Sequence, residues 1–230
     1  MKRYLAILVL LPLLAMGGRQ QGMGPGPGMP ASAGGGGNPT LIQNINCFNT
    51  CSFSSITAGN TIVAFIYMVN PNDDVSVSGN VSGTLTHASA CSYSNMDAWY
   101  KTGSTGGDTS ITATSNHNYV YMVVFELHNA TTFNSCATIY SSTASAFSYG
   151  PSITPPAHSF NAEANTNDCS LDSLTSSTIS QGWAEPSSFT GTGNPVTYLI
   201  LSSSSTVQSV WNNHNANTCT THGISITFTP

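Results

Sequence analysis

Two runs in this chain are apolar on both faces of an extended strand, and they restrict the folds open to it. They are residues 61–69, TIVAFIYMV, and residues 119–128, YVYMVVFELH. Successive side chains of a strand point to opposite faces. In the second run one face carries Tyr119, Tyr121, Val123, Phe125 and Leu127, and the other Val120, Met122, Val124, Glu126 and His128. An antiparallel sheet commonly packs one face and leaves the other to water. A strand apolar on both faces therefore lies at the centre of a sheet with something on each side. The first face is the better core face. Val120, Met122 and Val124 then need a cover: the long stretch 150–195, another copy of the chain, or a ligand in a groove. Glu126 and His128 stand where the apolar run ends, and are expected to cap backbone amides and to meet solvent respectively.

The rest of the chain alternates. TSITATS (residues 109–115) and GISITFT (residues 223–229) are apolar on one face only. Further short strands are expected over 74–78, 84–90, 96–102, 138–142, 144–149, 177–182, 196–202 and 206–211, punctuated by Gly, Asn, Pro and Asp turns. No segment shows a clear helical period, and the best helical candidate, 157–174, is rich in Asn and Asp, which suits a loop or an alternative strand over 157–163. No internal repeat is visible. Strands at this spacing suggest a sandwich or barrel, and the expected fold is all-β, a single antiparallel β-sandwich over residues 40–230.

Residues 1–17 read as a signal peptide: Lys2 and Arg3, an apolar run from Tyr4 to Met16, then small residues. At about 13 residues that run falls short of the roughly 20 needed to span a bilayer. Residues 18–39 include GMGPGPGMPASAGGGGNP, a Gly/Pro-rich composition expected of a disordered tether. The reading is a secreted or cell-surface protein with no membrane span in the mature chain.

Only 6 % of residues are charged, where about a quarter is usual. Beyond the leader, Arg19 and Lys101 stand against nine acids, a net charge near −7. One lysine in the folded region cannot neutralise a phosphate backbone, which excludes nucleic acid as a partner. Ser, Thr and Asn supply the solubility, at more than a third of the chain. The six cysteines, Cys47, Cys51, Cys91, Cys136, Cys169 and Cys219, all fall in the folded region. In an exported chain they are disulfide candidates, with fifteen pairings open. Cys47 and Cys51 form a lone close pair without the second ligand pair of a zinc site, so no metal or other cofactor is expected.

AGNTIVAF (residues 58–65), AWYK (98–101), GGDTSITAT (106–114) and VVFELHNA (123–130) together resemble a loosely defined group of bacterial secreted β-sandwich domains. The resemblance covers about residues 57–130. It implies a jelly-roll or Ig-like fold and export, and it implies no activity; the cysteines are additional to its pattern.

No nucleophile elbow, His-Glu-x-x-His or phosphate-binding loop occurs, so no catalytic residue is assigned. Aromatic side chains on secreted sandwiches can stack on sugar rings, with amides binding hydroxyls. Trp183, Trp211 and Trp99, with Tyr100, Asn212 and Asn213, are the candidate ligand-binding residues. The expected function is a non-catalytic surface binding or adhesion module, with a glycan or cell-surface polymer as partner. The alternatives are a structural subunit that self-associates through sheet edges, and a secreted glycoside-hydrolase-like enzyme using paired carboxylates.

Overall fold

A computed structural model describes residues 37–230 apart from 69, 71–72, 94, 117–118, 145, 169–170, 187–194 and 215–217. The expected leader, most of the expected tether and Cys169 lie outside the described residues. The strands of the first half are β1 (Thr40–Phe48), β2 (Thr50–Ser52), β3 (Thr61–Met68), β4 (Val75–Gly79), β5 (Gly83–Thr84), β6 (Thr86–His87), β7 (Met96–Lys101), β8 (Ser110–Ser115) and β9 (Val120–His128). The second half has β10 (Thr132–Ala144), β11 (Phe147–Tyr149), β12 (Ser159–Asn167), β13 (Leu171–Leu174), β14 (Val196–Leu201), β15 (Val210–Asn213) and β16 (Thr218–Thr229), and a short helix, α1 (Ser176–Ser180). The all-β expectation is met.

Some of the expected assignments change: residues 84–90, expected as one strand, divide among β5, β6 and a 3₁₀ turn at Ser89–Cys91, and β15 begins only at Val210 within the expected 206–211. Residues 177–182 were expected extended, but Thr175 accepts a hydrogen bond from the Thr178 amide and starts α1 there, as an N-cap hydroxyl does. Within the polar stretch 157–174, Ser159–Asn167 and Leu171–Leu174 are strands, in line with the alternative strand reading over 157–163, and Asn161, Glu163 and Asn165 are buried between sheets.

Among the described residues all the pairing is antiparallel, in four sheets ordered β1-β9-β3-β7-β6 (sheet A), β2-β8-β4-β5 (B), β10-β16-β12-β14 (C) and β11-β15-β13 (D). The two-faced runs are β3 and β9, side by side in sheet A. One face of sheet A, with Val63, Phe65, Val123 and Phe125, packs on Phe160, Ala162, Ile224, Ile226 and Phe228 of sheet C. Phe125 and Phe160 meet edge to face, ring centres 5.7 Å apart, the arrangement the ring quadrupoles favour. The other face, with Ile62, Ile66, Val120, Met122 and Val124, packs on Cys51, Val77, Ile111 and Ala113 of sheet B. Sheet B is therefore the cover that Val120, Met122 and Val124 require, and the stretch 150–195 is not. Leu199 on the far side of sheet C packs on Leu171, Leu174 and Trp211 of sheet D, with Trp183 and Val207. The packing is sandwich-like throughout, as two sandwiches, B on A and C on D, joined face to face through A and C. Each fully buried Val, Ile, Leu, Met or Phe in these layers contributes about 1.5–3 kcal/mol.

The two sandwiches share one topology. Matching β1 to β10, β2 to β11, β3 to β12, β4 to β13, β7 to β14, β8 to β15 and β9 to β16 converts β1-β9-β3-β7 into β10-β16-β12-β14, and β2-β8-β4 into β11-β15-β13. The register irregularity of β1, between Leu41 and Gln43, recurs in β10 between Phe133 and Ser135, after the second residue of each strand. An internal repeat is therefore present that the sequence conceals. Equivalent positions keep their burial and change their chemistry: Ala64 and Ile66 of β3 correspond by register to Glu163 and Asn165 of β12.

Cys47–Cys51 closes the bend from β1 into β2, and Cys91–Cys136 ties a 3₁₀ turn of the first half (Ser89–Cys91) to β10 of the second. Cys219 is also disulfide-bonded. No helix among the described residues is long and apolar enough to cross a membrane. Because Cys91–Cys136 staples the two sandwiches across 45 positions of sequence, the double variant Cys91→Ala/Cys136→Ala is expected to lose about 2–4 kcal/mol of unfolding free energy in urea titration.

Candidate functional site

The three tryptophans are core residues. Trp183 and Trp211 are 2 % and 1 % exposed and fill the layer between sheets C and D. Trp99 lies in the A–B layer under the ring of His87, with centres 4.5 Å apart and planes nearly parallel. None offers a face to an external sugar ring, which corrects the expectation for them. Tyr100 is half-buried and stacked on Phe133 at 4.8 Å. Asn213 is tied inward, its Oδ1 accepting from Ser148 Oγ and Asn167 Nδ2. Of the expected ligand-binding residues, Asn212 reaches a surface groove.

That groove lies on the outer face of sheet D. β11 and β15 pair with Phe147 opposite Asn212 and Tyr149 opposite Val210. Alternation turns these four side chains outward, while Ser148 and Trp211 turn in and are buried. Thr175, which caps α1, and the first α1 residues Ser176 and Ser177 form the wall beside them. The groove holds about 710 Å³, within the usual range of small-molecule sites. Phe147 and Tyr149 are 41 % and 40 % exposed. Asn212 Nδ2 donates to Ser173 Oγ at 3.1 Å, which steadies the amide at the groove floor. Among the described residues, no carboxylate, lysine or histidine lines it. Two aromatic faces, three hydroxyls and an amide, without ionic groups, can receive a neutral polyhydroxylated ring. Nothing in the residue types AFSYG singled out Phe147 and Tyr149. The available signal was the inversion of the usual pattern, with serine in and aromatics out.

A second cleft opens where sheets A and B part. Met68 at the end of β3, Asp73, Asp74 and Val75 leading into β4, His87 of β6 and Asp97 of β7 surround about 470 Å³, with Ser92 at its side. His87 Nε2 lies 3.4 Å from Asp97 Oδ1. The Asn70 amide donates to Asp73 Oδ2 at 3.4 Å.

Glu126 is structural. It is buried, and its carboxylate accepts from the Thr57 amide at 2.8 Å, from Asn60 Nδ2 at 2.6 Å and from Gln43 Nε2. Asn60 Oδ1 in turn meets His128 Nδ1 at 3.1 Å, with His128 exposed at the strand end. Glu126 thus holds the turn at Gly59, which sits at φ 85°, against the sheet. His214 pairs with Asp172 at 2.9 Å on the surface.

The layer between sheets C and D is polar in the part that faces β12: Asn161, Glu163, Asn165, Ser209, Ser225 and Thr227 are all buried. Glu163 accepts from the Ser209 amide at 3.3 Å, and Trp211 Nε1 donates to Ser209 Oγ at 3.2 Å. Gly150 sits directly over this carboxyl: a Cβ there would fall 2.2 Å from Glu163 Oε2. Burial pushes the Glu163 carboxyl up to about 8, against the hydrogen bonds from Ser209 that pull it down, so the group is neutral at pH 7.

No family model, no curated protein and no solved structure matches this chain.

The buried acid carries a definite pH dependence. The unfolded chain releases the Glu163 proton near 4.5 and the folded chain near 8. Over that window the folded state holds one proton more, so stability contributed by the neutral acid is full below pH 4.5 and falls by about 1.4 kcal/mol per pH unit until pH 8. Denaturant titrations at pH 5, 6.5 and 8 are expected to show this slope in the native chain and to lose it in Glu163→Gln.

Proposed function

We propose that this chain is an exported, non-catalytic binding module for neutral carbohydrate, engaged at the groove on sheet D. The observation that carries the reading is the pairing of Phe147 and Tyr149 with Asn212 and the Thr175–Ser177 hydroxyls on one outward face. Aromatic faces supply stacking area and low rotamer entropy, and the hydroxyl and amide groups supply directional hydrogen bonds. The absence of ionic groups among the described residues of the groove lining matches an uncharged ligand better than a nucleotide or an anionic polymer. Disulfides suit an oxidising compartment outside the cytoplasm, and the Gly/Pro-rich segment 18–39 would serve as a tether.

A second reading, self-association, is favoured by the sheet edges. β1 and β10 are edge strands of sheets A and C, and the thirteen residues of β10 include no charge and no proline, the features that usually blunt an edge. Phe48 and Tyr140 hold equivalent register positions on these strands and are 68 % and 59 % exposed.

The two readings separate experimentally. On a glycan array the full chain is expected to bind a neutral saccharide class, with Phe147→Ala and Tyr149→Ala each weakening it about tenfold or more. An array without signal, or with signal unchanged in both variants, rejects the groove. In sedimentation velocity, self-association through β10 predicts a dimer that Tyr140→Lys converts to monomer, and a monomer at every concentration rejects it.

A further inference from the structure

Resting on the carbohydrate reading of the sheet D groove, we propose that its occupant is an oligosaccharide, with two successive neutral pyranose rings lying along β11, one on Phe147 and the next on Tyr149. The groove is built as two rungs that cross sheet D side by side. In the first, Phe147 of β11 stands opposite Asn212 of β15, which stands opposite Ser173 of β13. In the second, Tyr149 stands opposite Val210. The Val210 carbonyl accepts from the Thr175 amide, at the point where β13 gives way to α1. Each rung therefore has an aromatic ring at one side and hydroxyls at the other.

The spacing sets how many sugars the rungs receive. Phe147 and Tyr149 are two residues apart on one strand, which puts their points of attachment roughly 7 Å apart. Both rings are exposed. One pyranose covers one aromatic face, so two faces set that far apart serve two rings joined in a chain and not one free sugar. β11 is the outer strand of sheet D, so no further strand of the sheet closes the aromatic side of the groove. Sugars before and after the bound pair can continue past it.

The rungs differ in the hydrogen bonds they offer. Asn212 spends its Nδ2 on Ser173, on the hydroxyl at 3.1 Å and the carbonyl at 3.4 Å. Its Oδ1 accepts from no described residue, so this rung receives a sugar hydroxyl as donor. In the second rung Val210 adds apolar surface. The exposed Ser176 and Ser177 beside it carry hydroxyls that both donate and accept. One sugar is thus held by stacking and a fixed acceptor, its neighbour by stacking and adaptable hydroxyls.

The test is isothermal titration calorimetry of the full chain with neutral saccharides drawn from the glycan array, each offered as its mono-, di- and tetrasaccharide. The disaccharide is expected to bind at least about tenfold more tightly than the monosaccharide, and the tetrasaccharide within about threefold of the disaccharide. Phe147→Ala and Tyr149→Ala, both at exposed positions where folding is not at stake, are each expected to erase most of the disaccharide's advantage. Asn212→Ala is expected to weaken the disaccharide about three- to tenfold. A monosaccharide bound as tightly as its disaccharide overturns the two-ring site while the groove reading stands. An advantage that depends on only one of the two aromatics does the same. No binding by any saccharide of the series overturns both.

Discussion

Because β3 and β9 carry apolar side chains on both faces, sheet A has to be covered twice, and the architecture follows from how that is done. Sheet B, drawn from the same half of the chain, covers one face, and sheet C, drawn from the other half, covers the second. Sheet C has an inner face of Phe160, Ala162, Ile224, Ile226 and Phe228 to offer in return. With sheet D behind it, the second half repeats the first in topology. The union of the halves is thus hydrophobic at its centre, and Cys91–Cys136 staples it at one side. Among the described residues, open grooves remain at two places: the outer face of D and the parted mouth of A and B.

A chain with so few cations must satisfy its buried acids in another way. Glu126 and Asp108 do so with backbone amides. Asp108 Oδ1 accepts from the amides of Val81 and Ser82, and its other oxygen from the Ser82 hydroxyl, as Glu126 accepts from Thr57 and the Asn60 amide side chain. Each carboxylate fastens a turn to a sheet. Glu163 has a single backbone donor within reach and resolves the conflict by staying protonated. Asp97, buried at the edge of a cleft, lies 3.4 Å from the His87 ring nitrogen Nε2. These acids, all buried, differ in role because their surroundings differ, and none of that difference is visible in residue type.

Seven of the sixteen described strands were directly legible because alternation is a local property. β3, β4, β7, β8, β9, β14 and β16 fall where the apolar pattern and turn residues put them. The two-faced character of β9 correctly required a cover. Its identity depended on long-range pairing of β2, β4 and β8, which local pattern does not encode. The repeat was hidden because a sandwich demands burial at a position and not a particular side chain, so Ala64 in one half and Glu163 in the other occupy equivalent places. The tryptophans misled for a related reason: Trp183 follows Gly182 and reads as a loop residue, yet its indole closes the layer between C and D. The groove was missed because β11 inverts the rule, burying Ser148 through bonds with Asn167, Asn213 and Thr221 and presenting aromatics to water. Asn212 alone among the expected ligand residues landed in that groove, since alternation around Trp211 fixes its side.

The central claim is that sheets A and C form one shared core between two sandwiches of like topology. Native-state hydrogen exchange followed residue by residue tests it most directly. Amides of β3, β9, β12 and β16 are expected to exchange last and together, through one global opening with a common free energy and denaturant slope. Two separate sets of protection, with residues 40–130 and 132–230 opening independently, would contradict it.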